Sequence, residues 1–145
     1  MGVEVVVDAD SLSRGAGGAV TGQIFLRHSG GVFPEEGWFD FPVVILTWWI
    51  VGLNECDQGK RSSFQGLFMD GPCSFTVTAD GHGTLDLSCD GDEPLRPLAG
   101  VSPRELLESA LVAGRLVSSA CRSRAWAGRD VDALRAALAA TRGAV

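Results

Sequence analysis

The sequence predicts an α+β domain: a mostly antiparallel sheet of about six strands, followed by two C-terminal helices packed on one of its faces. Three observations carry that expectation. Residues 1 to 100 alternate between short β-branched or apolar runs and turns marked by Gly or Pro; a helix start, Ser102-Pro103-Arg104-Glu105, comes only after them; and behind it apolar residues recur at helical spacing. Strands first and helices last is the order in which helices cover one face of an antiparallel sheet. At 145 residues, 46% hydrophobic and 21% charged, the chain reads as one domain, 1–145, able to bury a core without metals or disulfides. No internal repeat or linker divides it.

Val3-Glu4-Val5-Val6-Val7 is a short β-branched strand, and the Gly-rich run Gly15 to Gly18 is the loop after it. From Val20 to His28 an extended pattern resumes, with Gly22, Ile24, Leu26 and His28 on one face and Gln23, Phe25 and Arg27 on the other. Ser29 to Pro34 is a turn region. The densest apolar stretch follows, from Trp38 to Val51, and periodicity leaves it open between buried strand and buried helix because both faces are apolar. Its β-branched residues and paired tryptophans favour a strand over 43–51, with Pro42 tolerated at the start. On a strand Trp48 and Trp49 point to opposite faces, one into the core and the other beneath the helices.

Phe64 to Cys89 reads as a meander, turning at Asp70-Gly71-Pro72 and at Asp80-Gly81-His82-Gly83. Phe75, Val77 and Ala79 share one face, and Leu85, Leu87 and Cys89 share one face, so odd residues pair with odd. A three-residue loop ending in Gly allows that, and a two-residue turn does not. Ala79-Asp80-Gly81 pairs Phe75 with Leu85; Gly81-His82-Gly83 pairs it with Cys89. In neither does Cys73 face Cys89. At the C-terminal side, Ser102 and Glu105 make a capping box with Pro103 at the first helical position, and Leu106, Leu107, Ala110, Leu111, Val117 and Cys121 supply the buried face. Asp130 is the expected cap of a second helix, with Val131, Leu134 and Leu138 as its buried stripe and Gly143 as its end.

The net charge of −6 is uneven: residues 1 to 100 carry 14 acids and five bases, and residues 101 to 145 carry seven arginines and four acids. That balance argues against nucleic acid and anionic membranes as partners. Met1-Gly2-Val3-Glu4 has neither a basic nor an apolar leader region, and Phe41 to Leu53 falls short of the roughly 20 apolar residues that span a bilayer, so the expected location is the cytoplasm. Cys56, Cys73, Cys89 and Cys121 lack Cys-x-x-Cys spacing and are expected as buried free thiols.

Catalytic chemistry would have to pass through two histidines, His28 and His82, and one lysine, Lys60, with no tyrosine in the chain. No nucleophile elbow, zinc-binding His-Glu-x-x-His helix or phosphate-binding Gly-x-x-x-x-Gly-Lys loop occurs. Gly15 to Val20 lacks the last glycine of a dinucleotide fingerprint and precedes a strand. Val7-Asp8-Ala9-Asp10 approaches the first motif of haloacid-dehalogenase-type phosphatases, but Leu12 stands where that motif wants Thr or Val. Asp8 and Asp10 are therefore expected as solvated residues ending a strand. The expectation is a chain with no catalytic residues, no cofactor and no metal.

What remains is binding. Acids cluster in turns, and a negative surface suits a basic protein partner; Asp90, Asp92 and Glu93 are the first candidates, followed by Glu35, Glu36 and Asp40. Phe33-Pro34, Trp38-Phe39-Asp40-Phe41, Trp48-Trp49 and Phe68-Met69-Asp70-Gly71-Pro72 together resemble a group of small actinobacterial proteins, some of whose general kind look like the immunity proteins that protect bacteria from polymorphic toxins. The similarity runs on through Cys121-Arg122-Ser123-Arg124-Ala125-Trp126. It implies a fold family and an inhibitor that binds a basic toxin domain, and it carries over no catalytic residue. Its shared positions read as structural, with Asp40 anchoring a strand start and the tryptophans in the core. The alternative is a structural or regulatory interaction module, homodimeric through a sheet edge or the aromatic stretch; a pocket between sheet and helices is a third.

Overall fold

The computed structural model describes residues 2–29, 31–91 and 96–142. Its N-terminal third is organised by β3 (Val20–His28), which is buried on both faces at its middle because Ile24 and Leu26 point one way and Phe25 the other. β1 (Glu4–Val7) and β2 (Ser13–Arg14) run antiparallel to it, with Val7 opposite Ile24 and Ser13 opposite Thr21. A 3-10 turn at Ala9–Ser11 takes up the residues between them, and the Asp8 carboxylate caps it by accepting from the Asp10 N–H. β4 (Gly31–Phe33) and β5 (Phe39–Asp40) also pair antiparallel with β3, which completes a five-stranded sheet. The turn expected over Ser29 to Pro34 thus contains a short strand.

The stretch expected as a strand over 43–51 is instead part of a helix, α1 (Pro42–Asp57). Ile45, Leu46, Trp49, Ile50 and Leu53 are almost wholly buried and follow helical spacing. The outward face carries Val44, Trp48 and Val51, so it too is apolar and hides the period. Burial overrides the β-branched composition, and Pro42 fits the first helical turn, where no N–H is needed. Because α1 packs against α2 (Pro103–Ser123), α3 (Arg129–Arg142), β3 and β6 (Ser63–Leu67), it divides the strands. The expected single sheet of about six strands is therefore two sheets, of five and four strands, with one helix between them in sequence.

The second sheet has the order β6, β7 (Ser74–Ala79), β8 (Leu85–Asp90), β9 (Leu98–Val101), all antiparallel. Of the two hairpin registers the sequence allows, the chain adopts the one that pairs Phe75 with Cys89. Asp80 closes the turn: its backbone N–H donates to Thr84 O at 3.1 Å, and its carboxylate accepts from the His82 and Thr84 N–H groups and the Thr84 hydroxyl. Those bonds, the Thr84 hydroxyl first, hold the Asp80 carboxyl below the usual range.

In α2 the Ser102 hydroxyl accepts from the Glu105 N–H at 3.1 Å, and the expected apolar face is buried. α3 begins two residues earlier than a cap at Asp130 would place it. The Gly128 carbonyl takes the first helical bond from Asp132 N–H, and Asp130 lies within the first turn, where its charge favours the positive helix end. Val131, Leu134 and Leu138 are buried as expected, while Gly143 lies outside the described residues. The helices meet at Gly114, where a Cβ would stand 3.0 Å from Ile50 Cδ1 and 3.1 Å from Leu138 Cδ2. No described helix is long and apolar enough to cross a membrane.

All four cysteines are buried thiols outside any disulfide. Burial pushes the Cys89 thiol up to about 11, and burial raises Cys56 and Cys121 as well. Thiol titration at pH 8 is expected to be slow in the native protein and to reach four groups after unfolding without reductant; two groups would indicate a disulfide. Ser102→Ala is expected to cost about 0.5 to 2 kcal/mol in denaturant unfolding at unchanged slope, because it strips the acceptor from the Glu105 N–H.

Candidate functional site

The second sheet has two unlike faces. Phe64, Phe75, Val77, Leu87 and Cys89 point inward, with Phe75 edge-on to Trp49 at 4.9 Å between ring centroids. The opposite face follows from strand alternation and carries no helix-facing apolar row. Leu67, Ser74 and Asp90 lie abreast across β6, β7 and β8; Gln65, Thr76 and Ser88 form the next row; Ser63, Thr78 and Asp86 form the last. Ser74 is buried and its hydroxyl bonds Gln65 Nε2 at 3.2 Å, while the remaining eight are exposed or half-exposed. Asp86 and Asp90 stand four residues apart on one strand, about 13 Å, with hydroxyls between and beside them. Such a face accepts hydrogen bonds and presents negative charge from a rigid frame.

Of the sequence-derived acids, Asp90 belongs to this face. Asp92 and Glu93 lie outside the described residues. Glu35 and Glu36 are exposed in the loop between β4 and β5, in the first sheet, where Glu36 is bridged to Arg27 at 3.0 Å. Gly91, next to Asp90, sits against the Phe33 ring, where a Cβ would be 3.4 Å from Cε1. Asp86 was missed although its signal was present: with Leu85, Leu87 and Cys89 inward, parity alone turns Asp86 and Asp90 outward together.

Asp40 is different. It is 2% exposed, and its carboxylate accepts from Trp38 Nε1 and Phe41 N–H at 2.9 Å and from the Met69 and Asp70 N–H groups at 3.1 Å. With its oxygens consumed inside the chain, it ties the end of β5 and the start of α1 to the β6–β7 loop. It is an anchor, at a strand end rather than a strand start, and offers nothing to a partner.

Two other surfaces are notable. Phe39, Trp48, Val51, Leu67 and Met69 are large apolar side chains between 43% and 50% exposed, borne by β5, α1, β6 and the loop after it. Between α2 and α3 a groove of about 540 Å3 is lined by Arg115, Ser118, Ser119, Arg122, Arg135 and Leu138, among others. His82 is exposed in the β7–β8 turn, and His28 is buried at the end of β3. The described residues hold no group of three or more His, Cys, Asp or Glu side chains placed to share a metal ion.

Comparison with protein-family models, with curated proteins and with solved structures yields no match.

The contrast between Asp40 and Asp86 is measurable. Asp40→Asn is expected to destabilise the domain by about 1 to 3 kcal/mol, because one accepting oxygen becomes a donor facing donors. Asp86→Asn is expected to leave the unfolding free energy within about 0.5 kcal/mol of wild type.

Proposed function

We propose that this chain is a cytoplasmic protein-binding domain whose partner is a cationic protein, and that its role is that of an immunity-type inhibitor of a bacterial toxin. The observation that carries the reading is the uncovered outer face of the second sheet, hydroxyl-rich and acidic at Asp86 and Asp90, on a chain of net charge −6. A basic toxin domain is the complementary surface: long-range attraction speeds encounter, and the hydroxyls and carboxylates then accept from its lysines and arginines. The chain acts by occupying the partner's surface, with no catalytic group, cofactor or metal of its own. Asp92 and Glu93 follow Asp90 after Gly91 in sequence and add acids to the same segment.

A second reading, a homodimeric interaction module, is favoured by the half-exposed Trp48 and Val51 on α1 together with Phe39, Leu67 and Met69. Sedimentation across a concentration series separates the two: a monomer at all concentrations removes the homodimer.

The inhibitor reading is tested by co-expression with any toxin-like domain that a neighbouring gene encodes and by stopped-flow association of the purified pair. Wild type is expected to rescue growth, with an on-rate that falls as salt rises, because screening acts over about 8 Å at physiological ionic strength. Asp86→Asn combined with Asp90→Asn is expected to slow association several-fold while the fold is kept. Failure to rescue growth together with no detectable complex would overturn the reading.

A further inference from the structure

The groove between α2 and α3 lies outside the acidic face and has the opposite chemistry. Arg115, Ser118, Ser119 and Arg122 recur on α2 at spacings of three, one and three residues, which puts them on one face, and α3 contributes Arg135 above the apolar floor of Leu138. Among the described residues no Asp or Glu lines it. Five arginines outside the groove are engaged: Arg27, Arg61 and Arg104 pair with carboxylates, and Arg14 and Arg124 donate to backbone carbonyls, whereas Arg96 and Arg129 stand apart from the groove without such a bond among the described residues. Among the described residues, Arg115, Arg122 and Arg135 have no such partner. Ser118, 8% exposed, also lines the groove.

Three guanidiniums, each exposed and without a carboxylate partner, line one concavity and make it positive. An oxyanion is the complementary ligand. Each guanidinium presents a planar fork of donors matched to phosphate oxygens, and the Ser118 and Ser119 hydroxyls add donors between them. Arg115 and Arg122 are seven residues apart, about 10 Å along the helix, which spreads the positive charge over a length that one phosphate does not fill. The groove, open to solvent, offers about 540 Å3 along that length.

From this geometry we infer that the α2–α3 groove binds a small ligand bearing a linear chain of phosphates, held by Arg115 and Arg122 of α2 and Arg135 of α3, with Ser118 donating from the floor. The source of the phosphate chain is either an inorganic polyphosphate or a nucleotide. The inference is independent of the inhibitor reading, since it uses other residues and another surface.

Calorimetric titration of the full chain at low salt tests it, with tripolyphosphate, ATP and orthophosphate as probes. Tripolyphosphate and ATP are expected to bind one per chain, and orthophosphate about tenfold or more weakly. Equal affinity for the first two assigns recognition to the phosphates alone; tighter ATP adds a nucleoside contact; both outcomes support the site. Arg115→Gln with Arg135→Gln is expected to weaken binding about tenfold or more, Ser118→Ala about threefold, and Arg96→Gln, outside the groove, less than about twofold. Should the double variant fail to fold, amide shifts of the wild-type protein decide the matter: on adding tripolyphosphate they are expected to concentrate at residues 115–122 and 135–139. Overturning results are no binding, an equal loss in Arg96→Gln, shifts centred elsewhere, or tighter binding of a polyglutamate peptide or a single-stranded oligonucleotide than of tripolyphosphate.

Discussion

Trp49 is where the layers of this protein meet. It is fully buried on α1, its ring stands edge-on to Phe75 at 4.9 Å and to Phe68 at 5.1 Å, and its indole N–H donates to the Leu67 carbonyl at 3.2 Å. Phe68 in turn lies edge-on to Phe33, at the end of β4, and to Trp38. Phe75 lies against Phe64. One indole therefore joins the first sheet, the central helix and the second sheet, and edge-to-face pairs of this kind contribute about 0.5 to 1.5 kcal/mol each beyond the area they bury. Small residues make the approach possible. At Gly52 a Cβ would fall 2.1 Å from Phe64 Cε1, and at Gly66 it would fall 2.1 Å from Phe75 Cε2, so the rings occupy the space that side chains there would take.

Beside this aromatic chain stands a buried charge. A carboxylate placed at 2% exposure without a cation loses most of its hydration, and it persists only where other donors replace water. Asp40 receives one indole and three backbone N–H groups, none of which belongs to a regular helix or sheet ladder partner. The backbone of Met69 and Asp70 is thereby satisfied away from the sheet, in the turn that Gly71 completes at a φ of 116°. Trp38 takes part in both systems, through its N–H to Asp40 and through its ring to Phe68. The polar latch and the aromatic chain thus fix the same junction from two sides.

Most local elements were legible in the sequence because local chemistry decides them. Ser102, Pro103 and Glu105 set a helix start, the glycine-bearing turn at Asp80 to Gly83 sets a hairpin parity, and the alternation from Val20 to His28 sets a strand. What was not legible depended on partners far along the chain. Residues 43–51 carry strand-like composition, and only their enclosure by α2, α3 and two sheets makes a helix of them; a strand of that apolar length would leave nothing to separate the sheets. The same fact explains the sheet count, since α1 interrupts the run of strands that sequence order joined. Among the acids, charge in a turn said nothing of depth. Asp40 and Asp90 look alike in composition, yet one faces backbone N–H groups and the other faces water. The arginine groove was hidden because α3 brings Arg135 to α2 from another segment.

Charge in this protein is sorted in space as well as in sequence. Three carboxylate–arginine pairs occur among the described residues, Arg27–Glu36, Arg61–Glu55 and Arg104–Asp57. The first two are solvent-exposed on both sides and contribute little to stability. The Arg104–Asp57 pair joins the start of α2 to the end of α1, with Asp57 largely enclosed at 12% exposure, and so holds two helices rather than neutralising a surface. None of the three reaches Asp86, Asp90, Arg115, Arg122 or Arg135. Mixing the two signs on one surface would have lowered the self-energy of a chain at −6; keeping them apart leaves a negative sheet face and a positive helix groove, each with an unsatisfied field. An unsatisfied field of one sign attracts ligands of the other. The two surfaces therefore differ in sign and in shape: the sheet face is negative and bears its charges on paired strands, and the groove between α2 and α3 is positive and concave.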